Sequence, residues 1–226
     1  MSQKQAIFGL MGNRVHIMRG RYNPTSDAVW LAAFAPNNAK TVLEVGVGTG
    51  GALLCLMYHN PDVTATAIDV SDEMLAECRQ NLALNNKTAE LISADIYKWR
   101  TDRTFDTVIS NPPYFTGTPA AHNAHHNADI YKWTRQCIKR VRPRGTFCTI
   151  VDAATLHHVI AAMTPTCGDI TIMPLFGAKQ TAERVLIRGR VGLRGGVTLH
   201  RGLSMNNERV LRDGLTITDV LATLDA

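Results

Sequence analysis

Residues 41–59, TVLEVGVGTGGALLCLMYH, constrain the fold of this chain more than any other stretch. A short apolar strand, 41–46, runs into glycines at alternate positions, and an apolar helix, 51–59, follows. Gly46, Gly48 and Gly50 let the backbone turn sharply and approach a ligand with no Cβ in the way. A strand that turns over glycines into a helix sets its ligand at the carboxyl end of a parallel sheet.

The rest of the chain repeats this alternation. VTATAID (63–69), AELISAD (89–95), FDTVISN (105–111) and TFCTIVD (146–152) read as further strands. SDEMLAECRQNLALNN (71–86) and ADIYKWTRQCIKRVRPRG (128–145) read as helices, the first with Ser71 as cap and acids in its first turn. DITIMPLF (169–176) and AERVLIRGRVG (182–192) complete the set, and their short connection makes them antiparallel partners. The expectation is an α/β, doubly wound, mostly parallel seven-stranded Rossmann-like sheet with an antiparallel last strand. It forms one domain over 1–226: an extension (1–40) with a helix entered near Pro24 to Asp27, a core (41–192) and a tail (193–226).

The glycines leave the ligand open. Read as Gly46, Gly48 and Gly51, with Asp69 downstream, they also fit a dinucleotide fingerprint, and so a nicotinamide-dependent oxidoreductase. The acids shift the balance. Glu44 precedes the turn, and Asp69 and Asp95 end the next two strands. A ring of carboxylates over one crevice repels a pyrophosphate and suits S-adenosylmethionine, which has a sulfonium and no phosphate.

ISNPPYFTG (109–117) adds the chemistry. No strand continues through Pro112 and Pro113, since neither donates a ladder hydrogen bond. Asn111, held extended by the proline after it, offers a side-chain acceptor, and the Pro112 carbonyl offers another. Tyr114 and Phe115 give a flat stacking surface. Two acceptors gripping the hydrogens of a planar amine favour attack through nitrogen and stabilise the charge growing there.

Glu44–Gly50, Asp69, Asp95 and Asn111-Pro112-Pro113-Tyr114 resemble the ordered motifs of class I S-adenosylmethionine-dependent amino-methyltransferases. With SDAVWLAAF near the start and AERVLIRGRVGLRG near the end, the chain more closely resembles the bacterial tRNA(Val) adenine-N6 methyltransferase family. It departs from it at Glu44-Val45, where aspartate-leucine is common, and at Trp30, in a stretch usually aliphatic. The resemblance implies that Asn111 and Pro112 hold the target amine and that Tyr114 stacks on the base, with Pro113 and Phe115 beside it. It further implies that Glu44, the glycines and Asp69 bind the methionine and ribose parts of the cofactor and Asp95 its adenine, with Ser26 and Asp27 closing over it. The target adenine must be unpaired or flipped, as in a tRNA anticodon loop.

Charge points the same way. Residues 1–130 carry ten Lys and Arg against twelve Asp and Glu; residues 131–226 carry fourteen against seven. Arg184, Arg188 and Arg190 alternate along one strand, and Arg135, Lys139 and Arg142 follow helical spacing, which reads as an RNA-phosphate footprint including Arg188 and Arg190. Five scattered cysteines without a CxxC pair, and no apolar signal region, indicate a cytoplasmic chain outside the membrane. His122, His125 and His126 have no carboxylate or cysteine at ligand spacing, so no metal is expected. A protein-glutamine methyltransferase shares the NPPY grip, but typically has a separate helical N-terminal domain. A binding protein without catalysis is the remaining alternative.

Overall fold

The computed structural model describes residues 6–20, 22–113 and 130–224. It opens with a hairpin that the sequence reading did not anticipate, β1 (Ile7–Leu10) and β2 (Val15–Met18). Val15 and Ile17 are buried and alternate with exposed His16, as a half-buried strand requires. Helix α1 (Ser26–Phe34) follows, capped by the Thr25 side chain, which accepts from Asp27 N. Every residue from Asp27 to Phe34 is buried, so this helix is covered on all sides.

Strand β3 (Thr41–Val45) leads through the glycine turn into α2 (Gly51–His59). Then come β4 (Thr64–Asp69), α3 (Asp72–Leu84), β5 (Glu90–Ser93) and β6 (Phe105–Ser110). The Ser71 hydroxyl caps α3, accepting from Met74 N at 3.2 Å, as its sequence promised. Asn81 and Asn85 on α3 anchor the hairpin: Asn81 Oδ1 accepts from Met18 N at 2.9 Å, and the Asn85 side chain bonds both N–H and carbonyl of His16. Buried Asn81 also donates to Thr49 O at 2.9 Å, tying α3 to the glycine turn.

Helix α4 (Ile130–Ile138) is shorter than the expected 128–145, and the chain is already extended at β7 (Val141–Asp152). Two facts account for this. Pro143 cannot serve a helix interior, and the β6–β7 ladder tolerates a bulge between Phe105 and Thr107, so Val141 pairs with Phe105 and Thr146 with Thr107. A 3-10 turn and α5 (Leu156–Met163) lead to β8 (Cys167–Phe176) and β9 (Arg184–Val191).

The main sheet has the order β8-β9-β7-β6-β3-β4-β5 for its seven long strands, all parallel except β9, which runs antiparallel to both β7 and β8. Two short strands from the tail, β10 (Val197–Leu199) and β11 (Leu203–Ser204), pair parallel with β8 and bring the sheet to nine. The fold is therefore the expected one, enlarged at one edge.

The tail ends in α6 (Glu208–Leu211) and α7 (Ile217–Ala222), whose Val210, Ile217 and Val220 share an apolar cluster with α1, α2 and the hairpin. Trp30, wholly buried, needs an acceptor for its indole N–H and finds Met205 O at 3.3 Å in the same tail. The five cysteines are buried and unpaired. Among the described residues no helix is long and apolar enough to cross a membrane, and no group of three His, Cys, Asp or Glu is gathered to hold a metal ion.

Candidate active site

The carboxyl ends of β3, β4 and β6 adjoin, and the glycine turn lies over them. Gly46 N and Val47 N both donate to Ile68 O, at 2.9 and 3.1 Å, folding the turn down onto the end of β4. Gly46 and Gly48 have φ of 74° and 52°. A Cβ at Gly46 would meet nothing nearer than the Trp133 ring at 3.4 Å; at Gly48, nothing nearer than the Tyr22 ring at 3.9 Å. The outer surface of the turn is thus an open cradle flanked by two aromatic rings. The sequence reading missed both. An aromatic on an amphipathic helix reads as core, and Tyr22 lies in the loop ahead of α1.

Asp69 sets the cradle's shape. Its Oδ2 accepts from Gly48 N at 2.9 Å and its Oδ1 from Ser71 N at 3.0 Å, so one carboxylate spans the turn and the start of α3. Asp95 lies two residues beyond the end of β5 rather than within it. Its Oδ1 accepts from Tyr97 N at 2.9 Å, opening a turn, and its Oδ2 lies 3.9 Å from the exposed Lys98 ammonium. Ala94 N donates to Asp69 O at 2.9 Å, which keeps Asp95 beside the same crevice.

Glu44 is 2% exposed, bonded by Leu53 N, and its Oε2 finds no partner among the described residues. Burial pushes its carboxyl well above the ordinary range, and the charge on Asp69 adds to the rise against the Leu53 bond. A carboxyl with a raised folded pKa holds its proton more tightly folded than unfolded. Its stabilising contribution is present at acid pH and is lost as pH climbs from the ordinary carboxylate range toward the raised value. Glu44→Gln keeps an acceptor for Leu53 and removes that slope. Without ligand, the variant should melt above the parent protein at about pH 8, the gap closing toward about pH 5, while cofactor affinity falls about tenfold from one lost charged bond. Melting curves across pH and calorimetric titration check both; equal melting at the higher pH would refute the raised carboxyl.

Asn111 leaves the end of β6, the neighbour of β3, with Ile109 in register with Glu44. The strand end is fixed by three bonds around buried Ser110. Its hydroxyl donates to Val45 O at 2.9 Å, Trp133 Nε1 donates to that hydroxyl at 3.0 Å, and Thr149 Oγ1 donates to Ser110 O at 2.7 Å. Asn111, Pro112 and Pro113 line a slot with Asp27, Asp152 and Arg184. Arg184 Nε donates to Asp27 Oδ2 at 3.2 Å and its Nη1 to Asp152 Oδ2 at 3.3 Å, so Asp27, expected over the cofactor, is clasped to β9 and β7. Tyr114, Phe115, His122, His125 and His126 lie outside the described residues.

The arginine stripe runs from one end of the sheet to the other. Arg184, Arg188 and Arg190 share a face, but β9 runs antiparallel to β7: Arg184 pairs with Asp152 at the site end, Arg190 with Thr146 at the opposite end. Arg188 Nη1 donates to Phe34 O at 2.8 Å, at the carboxyl end of α1. The six-residue separation along β7 puts Arg190 ~20 Å from the slot. Arg135 stays on α4, where it bonds Ala162 O and Thr166, whereas Arg142 lies on β7 rather than on the expected helix and pairs with Asp106.

This sheet order, with a glycine cradle beside an asparagine-proline strand end, is that of the class I methyltransferase fold, whose cofactor is S-adenosylmethionine. The residues present fit that cofactor: an open cradle and an unpartnered buried carboxylate oxygen accept a ligand with a positive end and no phosphate.

The comparisons with known proteins agree. The methyltransferase small domain model matches residues 23–163, over half the chain, and the chain belongs to that family. It is 26% identical over 135 residues to a tRNA1(Val) (adenine(37)-N6)-methyltransferase of Glaesserella parasuis, covering 56% of this chain and 57% of the relative. It is 38% identical over 134 residues to the protein of the same name in a Flavobacteriaceae bacterium, covering 56% and 58%. The chain therefore spans little more than half the length of these curated relatives. A predicted O-methyltransferase of Agrobacterium tumefaciens shares the fold, with a TM-score of 0.66 at 23% identity over 80% of this chain and 88% of that one.

Proposed function

We propose that the chain methylates the N6 amine of an unpaired adenine in RNA, in the anticodon loop of a tRNA, using S-adenosyl-L-methionine. The observation that carries this reading is the position of Asn111 and Pro112, which leave β6 next to the strand bearing the glycine cradle and at the same end of the sheet. When bound, the cofactor supplies an electrophilic methyl group on a sulfonium.

The protein's own part is grip and placement. Asn111 Oδ1 and the Pro112 carbonyl accept the two hydrogens of the amine, and the prolines fix the separation of these acceptors. The bonds around Ser110 keep that strand end from shifting. No strong general base is needed, because the exocyclic nitrogen becomes acidic as it gains charge. Asp69 and Asp95 would receive the ribose and adenine of the cofactor, and Glu44 its positive end. Tyr114 and Phe115 would stack on the target base. The names of the relatives, tRNA adenine-N6 methyltransferases, support the choice of an RNA amine over a glutamine amide. We further read 1–226 as one methyltransferase domain working in the cytoplasm, where its RNA substrate resides.

The test is incubation with labelled S-adenosylmethionine and either total RNA or total protein from cells lacking the gene, followed by nucleoside and amino-acid analysis. N6-methyladenosine in the tRNA fraction is the expected product. Label in glutamine would replace this reading with protein methylation.

A further inference from the structure

At the amino ends of the parallel strands, opposite the site, lies an open groove of about 750 Å³. It is lined by Lys40, Arg142, Arg144, Arg188 and Arg190, with only Asp106 and Asp169 as acids. We propose that this groove binds the phosphate backbone of the RNA whose adenine enters the slot, an assignment that rests on the functional reading above.

The charges divide unequally. Asp106 is satisfied from within: it accepts from Lys40 N and Thr41 N at 2.8 and 2.9 Å and pairs with Arg142. Although burial pulls the other way, these partners together hold its carboxyl below the usual range. Asp169 lies 3.7 Å from Arg190, whose Nε and Nη2 also reach Arg144 O. Three cations remain without a carboxylate. Arg188 has only neutral partners, the Phe34 carbonyl and the Phe34 ring 4.7 Å away. Among the described residues, the side chains of Lys40 and Arg144 make no ion pair or hydrogen bond.

Arg144 also has an unusual backbone conformation. Its φ is +64°, a conformation that glycine takes freely and an L side chain takes at a cost. Arg144→Gly therefore removes the guanidinium without adding backbone strain. Cations without a carboxylate partner, over a polar floor with Asn38, Thr146 and Thr171, suit a polyanion's phosphate oxygens.

RNA is favoured over an acidic protein because the groove and the slot then serve one ligand. Their separation of ~20 Å along β7 exceeds a single nucleotide and falls within a folded stem-loop. A short single strand can fill the slot without reaching the groove, so the two contacts can be measured apart.

The experiment compares the parent protein with the double variant Lys40→Gln, Arg144→Gly, in which the second change also relieves the backbone. Affinity for a tRNA stem-loop is read by fluorescence anisotropy across salt concentrations, and methyl transfer is read on that RNA and on a short adenine oligonucleotide. For the stem-loop, Kd and KM should rise roughly tenfold at unchanged kcat, and the slope of log K against log salt should shrink by about 1.5, two phosphate contacts' worth. Turnover of the oligonucleotide should not change. Unchanged stem-loop affinity and slope overturn the groove. So does competition by an acidic protein or by inorganic phosphate with RNA affinity left intact in the variant. A parent protein that binds RNA through the groove yet methylates no RNA would instead overturn the functional reading, since anisotropy needs no turnover.

Discussion

Asn111→Ala lowers methyl transfer by roughly 10²- to 10³-fold and leaves cofactor affinity nearly unchanged. The magnitude follows from removing one preorganised partner of the charge that develops on the reacting atom. The selectivity follows from geometry. Asn111 lies past the end of β6 and faces the slot it shares with Asp27 and Arg184, whereas the cofactor cradle is shaped by Asp69 and the turn after β3. Ser110, which holds the strand end through Val45, Thr149 and Trp133, is untouched by the change. Single-turnover rates and calorimetric titration with S-adenosylmethionine measure the two quantities. Turnover within about threefold of the parent would remove Asn111 from the catalytic role.

Gly50→Ala is expected to lower stability substantially. Gly50 caps α2 with φ of 88°, and a Cβ there would stand 2.7 Å from Cys78 Sγ. Cys78 is fully buried on α3, one turn from the Asn81 that bonds Thr49 O, so displacing its thiol disturbs packed neighbours. A left-handed alanine costs about 1–2 kcal/mol and an overpacked core contact about 1–3 kcal/mol. Together they predict a melting temperature roughly 5–15 °C lower. Gly48→Ala is the useful contrast. Its φ is equally left-handed, but the nearest atom to a new Cβ is 3.9 Å away, so its damage should fall on cofactor binding more than on melting. A Gly50→Ala protein that melts within about 2 °C of the parent would show that the Cys78 contact is relieved cheaply.

The frame of this fold was legible because its signals are local. Strand β3, the glycine turn and α2 follow one another without a gap, and Ser71 caps α3 from its own position. Asn111 was legible because two prolines can only end a strand. What escaped depends on distant partners. Alternation put Arg184, Arg188 and Arg190 on one face but could not say which end of the sheet each occupies, since that is set by the antiparallel register with β7. The 128–145 helix failed for a related reason: extended backbone at Val141 is favoured by a ladder to Phe105, far away in sequence. The hairpin at Ile7 to Met18 is held partly by the side-chain amides of Asn81 and Asn85, and hydrophobic periodicity carries no trace of such bonds. Trp133 and Tyr22 flank the cradle only because separate elements bring them there.

The burial of α1 on every side has a temporal consequence. Asp27 on this helix helps to line the reaction slot, yet Val210, Ile217 and Val220, nearly two hundred residues later in the chain, complete the apolar coat around it. A nascent chain that has already made the cradle, the prolines and the long parallel strands still lacks this cover until residues 208–222 have left the ribosome. The helix that lines the slot is therefore fully covered only once a segment far from it in sequence has folded against it.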